Sequence, residues 1–172
     1  MSFTLADADA LAERAHRGQT DKIGEPYVAH VRAVAHGVAP FGTGLAMAGL
    51  LHDTLEDTDL TADDLLAAGV PSAVVALVER LTHDPAVPYE EMVRRVAGDY
   101  AAALVKIADN AHNALAERAG LLPRERREQL AAKYGRAREI LWHAVPRADV
   151  EAVVRRVNPA LLGEEAGDAA AR

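Results

Sequence analysis

Gly49-Leu50-Leu51-His52-Asp53-Thr54-Leu55-Glu56-Asp57-Thr58 is the stretch from which the rest of this chain is read. An apolar run leads into adjacent His and Asp, and two acids follow one helical turn later. On a helix, His52 with Glu56 and Asp53 with Asp57 are both i,i+4 pairs, so the four side chains stack on neighbouring stripes. The apolar lead-in implies burial, which an unpaired acid resists. Carboxylates near a helix C-terminus also oppose the helix dipole. A local rule broken in this way points to chemistry rather than to stability.

The surrounding 172 residues are 50% hydrophobic and only 4% aromatic, so the core must be built mainly from Ala, Leu and Val. Ala and Leu are strong helix formers, and no β-alternation is present; the expected class is an all-α bundle in one domain. That domain is expected to span residues 1–158, with 159–172 as a flexible tail. Among the 19 basic residues only Lys22, Lys106 and Lys133 are lysines. The net charge of −7 argues against nucleic acid as a partner. No cysteine is present, the N-terminus lacks the basic start and apolar run of a signal peptide, and no apolar run is long enough to span a membrane. A cytoplasmic protein without a membrane partner is the expectation; oligomeric state is not readable.

Working outward, Thr4 caps a first helix to about Arg17, with Leu5, Ala8, Leu11, Ala12 and Ala15 facing inward. Gly18 to Pro26 is a loop, and a second helix covers about Tyr27 to Val38. Pro40, Gly42 and Gly44 break the chain before the helix carrying His52-Asp53. Thr61-Ala62-Asp63-Asp64 resembles a capping box for a short helix to Ala68. Helices follow from Ser72 to Leu81, Tyr89 to Ala97 and Ala101 to about Arg118. A long one from Pro123 to Val145 buries Leu130, Tyr134, Ala137, Leu141 and Ala144, and a last one runs from Ala148 to Val157.

His30, His52, Asp53 and Asp109 are the candidate metal ligands, brought together from three helices. Alone, His30 reads as a hydrogen-bonded core histidine and Asp109 as a surface acid paired with Lys106. Two imidazoles and two carboxylates suit Mn²⁺, Fe²⁺, Co²⁺ or Zn²⁺. Four protein ligands leave positions for water and phosphate on a six-coordinate ion, which favours Mn²⁺. His83-Asp84, in a loop with Pro85 and Pro88, reads as rim or loop structure, and the Arg124, Arg126 and Arg127 cluster as a solvated face.

The order His…His-Asp…Asp resembles the HD-domain metal-dependent phosphohydrolases. More narrowly, the chain is similar to the hydrolase domain of RelA/SpoT-type alarmone proteins and their stand-alone small relatives. The matching text is Ala15-His16-Arg17-Gly18-Gln19, Gly24-Glu25-Pro26-Tyr27-Val28-Ala29-His30, the opening stretch from Leu50 to Thr58, and Val105-Lys106-Ile107-Ala108-Asp109-Asn110-Ala111-His112-Asn113.

The resemblance implies one Mn²⁺ on His30, His52, Asp53 and Asp109, with Glu56 and Asp57 holding or activating water. It implies Asn113 on a nucleotide sugar and Lys22 on a phosphate, with Lys106 as a further substrate contact. Asp21 stands where the family commonly has an arginine that packs on guanine, and an acid cannot make that stack. The implied activity is hydrolysis of a nucleotide phosphate or pyrophosphate ester, foremost the 3′-pyrophosphate of (p)ppGpp. The alternatives are a phosphohydrolase of another nucleotide or phosphorylated metabolite, and a non-catalytic nucleotide-binding sensor.

Overall fold

The computed structural model describes residues 2–163. Helix α1 (Leu5–Ala15) starts at a capping box in which Thr4 and Asp7 bond reciprocally to each other's backbone. A loop leads to α2 (Tyr27–Val38), and one 3-10 turn (Ala39–Phe41) precedes α3 (Thr43–Leu51). The short helices α4 (Thr54–Asp57) and α5 (Ala62–Ala67) follow, then α6 (Ser72–Leu81), α7 (Tyr89–Ala97) and α8 (Tyr100–Asn113). The chain closes with α9 (Ala116–Gly120), α10 (Arg124–Ala144) and α11 (Arg147–Val157). Among the described residues the fold is all-α.

Helices α2 and α8 form the centre, with α3 and α11 packed on α2 and with α10, α11 and α7 packed on α8. Helix α3 is apolar on every side, and Ala46 to Leu51 are all buried. It approaches α2 so closely that a Cβ on Gly49 would lie 2.7 Å from the backbone Cα of Ala35. Glycine is required there by contact rather than by backbone angle. This close crossing brings the C-terminal end of α3 to the N-terminal turn of α2, where His30 sits.

Four sequence expectations need correction. The opening stretch is not one helix: α3 ends at Leu51, and Asp53, in the bridge region at φ −99° and ψ 0°, starts α4. Glu56 and Asp57 therefore lie in a separate single turn of helix rather than at the C-terminal end of a long one. The helix expected to run to Arg118 is interrupted after Asn113, although Ala114-Leu115 carries no breaker residue. Leu5 is exposed because it precedes the first inward turn, and Val145 is buried in place of Ala144 because α10 ends there. Finally, the packed chain continues past 158. Leu161 lies in the core and Asn158 donates to the Ala111 carbonyl at 3.0 Å. The expected tail beyond 163 lies outside the described residues.

Gly49→Ala is expected to lower stability by about 1–3 kcal/mol, as overpacking against fixed backbone does. Gly44→Ala, in the same helix with open space around its Cβ, should be neutral or raise stability by about 0.5–1 kcal/mol. Thermal unfolding of both variants checks the pair; equal shifts would remove the packing account of Gly49.

Candidate metal centre and active site

The break between α3 and α4 is built from side chains that take the carbonyls a continuing helix would use. Thr54 Oγ1 donates to the Leu51 carbonyl at 2.7 Å, and His52 Nδ1 donates to the Gly49 carbonyl at 2.8 Å. The second bond fixes the tautomer, because a ring that donates from Nδ1 to a carbonyl carries its lone pair on Nε2. His52 Nε2 is buried and has no hydrogen-bond partner among the described residues. It lies 3.0 Å from Asp53 Oδ2, off the direction a hydrogen bond would take. Two electron-rich atoms at that distance call for a cation between or beside them.

His30 adds a third donor from the first turn of α2. Its Nε2 is 3.5 Å from Asp53 Oδ2 and 3.4 Å from Asp109 Oδ1, the latter from α8. Its Nδ1 is 2.8 Å from His112 Nδ1, one turn of chain beyond Asp109. Burial and the neighbouring His30 push His112 down to about 4, so its neutral ring accepts from His30. Burial also opposes a charge on His30, yet Asp109 and Asp53 lift it to about 9. The ligand atoms of His30, His52 and Asp109 all lie within 4.8 Å of one another. This buried His/His/Asp group, flanked by Asp53, can hold a metal ion, and the orphaned Nε2 of His52 fits that use.

The carboxylates are positioned from outside the cluster. Asp109 Oδ2 is 2.7 Å from the buried Lys106 ammonium, and its Oδ1 accepts from Asn113 at 2.5 Å. Burial alone would raise the pKa of Asp109; Lys106 and the histidines hold it well below the usual carboxylate range. Lys106 and Asn113, expected as substrate contacts, thus both hold Asp109. The Tyr27 hydroxyl donates toward Asp53 at 2.7 Å and Asp57 at 2.9 Å, sharing one proton between two carboxylates. Burial and those two acids push the Tyr27 phenol far up. The rings of His16 and His30 flank Tyr27 at 4.8 and 5.4 Å.

A cavity of about 250 Å³ opens on this cluster. Glu56 and Asp57 line it, and Glu56 Oε2 accepts the His83 backbone N–H at 3.0 Å. The His83 ring instead contacts the Val87 carbonyl at 2.7 Å and belongs to the loop. Lys22, Lys106 and Lys133, all the lysines of the chain, line the same cavity. Lys22 donates to the Tyr134 hydroxyl at 2.9 Å, and Lys133 sits 3.9 Å over the Tyr89 ring. Tyr27, His112, Lys133 and Arg118 are the functional candidates that residue types and spacing did not reveal. Tyr27 and His112 at least lie inside the quoted family blocks; the other two carry no local signal.

Asp21 does not face the cavity as a free acid. Its Oδ1 accepts the backbone N–H groups of Ile23 and Glu25 at 2.9 and 3.0 Å, and its Oδ2 pairs with Arg118 at 2.6 Å. The loop is closed further by the Thr20–Pro26 bridge, with Gly24 at φ +88°. An arginine therefore lines this wall after all, delivered by α9.

Residues 8–136 match the HD domain family, and the chain belongs to that family. It is 39% identical over 132 residues to a GTP pyrophosphokinase of Streptomyces coelicolor, covering 70% of this chain and 15% of that one. It is 34% identical over 122 residues to the guanosine-3′,5′-bis(diphosphate) 3′-pyrophosphohydrolase of Vibrio cholerae, covering 63% of this chain and 17% of that one. With the bifunctional (p)ppGpp synthase/hydrolase SpoT of Escherichia coli it shares 33% over 121 residues, again 63% and 17%. The chain thus spans less than a fifth of the length of these curated relatives. A solved structure of a metazoan ortholog of SpoT that hydrolyzes ppGpp superposes with a TM-score of 0.71 at 26% identity, covering 91% of this chain and 94% of that one. No helix of the described residues is long and apolar enough to cross a membrane.

The loop geometry generates its own test. Asp21→Arg removes the acceptor of two backbone N–H groups and a largely covered ion pair, and is expected to cost about 3 kcal/mol of stability. It should not install a useful guanidinium, because Arg118 would be displaced. A melting temperature equal to the parent's would refute the organising role of Asp21.

Proposed function

We propose that this chain is a metal-dependent phosphohydrolase that cleaves a pyrophosphate ester of a nucleotide, foremost the 3′-pyrophosphate of (p)ppGpp. The observation that carries the reading is the orphaned, buried Nε2 of His52 beside His30, Asp53 and Asp109, the last three of which line a cavity that Glu56 and Asp57 enter. Similarity to pyrophosphohydrolases, and overall likeness to a protein described as hydrolyzing ppGpp, support the substrate class.

His30, His52, Asp53 and Asp109 would hold one divalent ion, with Mn²⁺ favoured by the mixed imidazole and carboxylate set. Such an ion supplies a lowered water pKa and stabilises charge on phosphate oxygens. The chain's own residues do the rest. Glu56, anchored through the His83 N–H, presents a carboxylate to a water in the cavity and can accept its proton. Tyr27 keeps Asp57 oriented beside Asp53, and Asp57 is the alternative acceptor. Lys22 and Lys133 face the same space as positive charges for phosphate oxygens, while Lys106 and Asn113 keep Asp109 in place. The presence of both acids in the cavity favours turnover over a sensor that binds without reacting.

Asp53→Ala is expected to abolish both bound metal, measured by elemental analysis, and pyrophosphate release from ppGpp with Mn²⁺. Full metal occupancy in that variant would break the ligand assignment. Glu56→Gln should retain the metal and lower kcat by about 10²- to 10⁴-fold, the range for a lost general base. Parental kcat would move the role to Asp57.

A further inference from the structure

The turn that leaves α1 carries a group of side chains that the chemistry proposed above does not use. His16, which caps the C-terminal end of α1, is 3% exposed. Its Nδ1 is 2.7 Å from Gln19 Oε1, and Gln19 Nε2 donates to the Asp57 carbonyl at 2.8 Å, across 38 positions of chain. The direction of this relay is forced. A peptide carbonyl can only accept, so the amide nitrogen of Gln19 faces Asp57 and the amide oxygen faces His16. Nδ1 of His16 therefore carries the proton, and Nε2 keeps the lone pair.

That Nε2 is buried and has no hydrogen-bond partner among the described residues. A buried acceptor left unpaired costs about 1–3 kcal/mol, so an apolar ring of similar size would serve packing better than imidazole does. What imidazole adds is the Nδ1–H, which holds the Gln19 amide in the one orientation that donates to Asp57.

Gln19 is fixed from both sides. Its N–H donates to the His16 carbonyl and its own carbonyl accepts the Tyr27 N–H, both at 3.0 Å. The His16 ring lies against the Tyr27 ring. These three residues form one packed unit, and two hydrogen bonds leave it for a single target. The Gln19 amide reaches the Asp57 carbonyl, and the Tyr27 hydroxyl reaches the Asp57 carboxylate. Asp57 ends α4, which has only four residues. A single turn has little stability of its own, and its last carbonyls find no partner inside it. Contacts from outside must therefore set where Glu56 and Asp57 stand: the His83 N–H on one, and this unit on the other.

We propose that His16 and Gln19 are positioning residues for hydrolysis. His16 orients the Gln19 amide, and Gln19 fixes the end of α4 so that Glu56 and Asp57 meet the reacting water. This rests on reading those two acids as the groups that handle water. Neither His16 nor Gln19 is among the described residues lining the metal-side cavity, so their effect passes through Asp57 and not through substrate binding.

Turnover of ppGpp with Mn²⁺ is measured on the full chain carrying Gln19→Ala, His16→Phe, His16→Asn, or the first two together. Gln19→Ala and His16→Phe should each lower kcat by about 10- to 100-fold, the scale of a displacement of about 1 Å at a reacting group. KM and bound Mn²⁺ should stay at parental values. The double variant should lose no more than Gln19→Ala alone, because His16 acts through Gln19. Asparagine, whose side-chain N–H falls near the place of Nδ1–H, should recover kcat relative to phenylalanine. The melting temperature of His16→Phe should equal or exceed the parent's, so that activity and stability part. Parental kcat in either single variant, additive losses in the double one, or a fall in kcat that follows lost metal or lowered melting temperature overturns the proposal. Nitrogen NMR of the His16 ring reads the relay without turnover: a ring protonated on Nε2 and bare on Nδ1 in the parent would refute it. A parent inactive on every nucleotide would sink the hydrolase reading, while the ring tautomer would still decide the relay.

Discussion

The lone pair of His52 Nε2, buried against the carboxylate of Asp53, is the constraint from which the architecture follows. Removing an ionised carboxylate from water costs several kcal/mol even after relaxation. Here two such groups, Asp53 and Asp109, are enclosed where α2, α3 and α8 meet. Lys106 offsets one of them. In the ion-free protein a proton on His30, held to about 9, offsets the other. On the proposed reading a divalent ion takes over that second task. The surrounding contacts keep the arrangement from relaxing: the Gly49 carbonyl holds the His52 ring, His112 holds His30, and Asn113 holds Asp109.

Glycine at position 49 belongs to the same argument, although it touches no charged group. The site needs donors from α2 and α3 within 4.8 Å, and only close helix approach delivers that without a long loop. The contact of Gly49 with Ala35 supplies it. The abrupt end of α3 then turns the chain so that Glu56 and Asp57 enter the cavity. Thr54 stabilises that turn by satisfying the Leu51 carbonyl. Packing and chemistry are thus set within one run of nine residues, Gly49 to Asp57.

Much of this was legible beforehand because it is local. The apolar faces of α6 and α8, the capping boxes at Thr4 and Thr61, and the Pro-led start of α10 all follow from period and end chemistry. The gathering of His30, His52, Asp53 and Asp109 could be posed as ligand chemistry across three helices. The kink at Asp53 could not, since His-Asp-Thr carries no breaker and the turn is made by side chains bonding backward. The break after Asn113 is similar: no local residue demands it, but it lets Arg118 reach Asp21 across 97 positions of chain. Long-range ion pairs of this kind leave no periodic trace.

Asp21 shows how such a pair changes a functional argument. Read alone, an acid in place of a stacking arginine suggests a lost recognition wall. In the structure the acid anchors its own loop and fixes a different arginine, from α9, against the same cavity. An arginine from a distant part of the chain thus lines the wall that Asp21 organises. The same logic extends along the cavity. The acids needed at the metal end would repel a nucleotide phosphate if they were left unbalanced. All three lysines of the chain converge beside them. A strongly acidic chain can attract an anionic substrate only if its few cations are concentrated along the path of binding. The three lysines beside the Asp-rich floor meet that requirement.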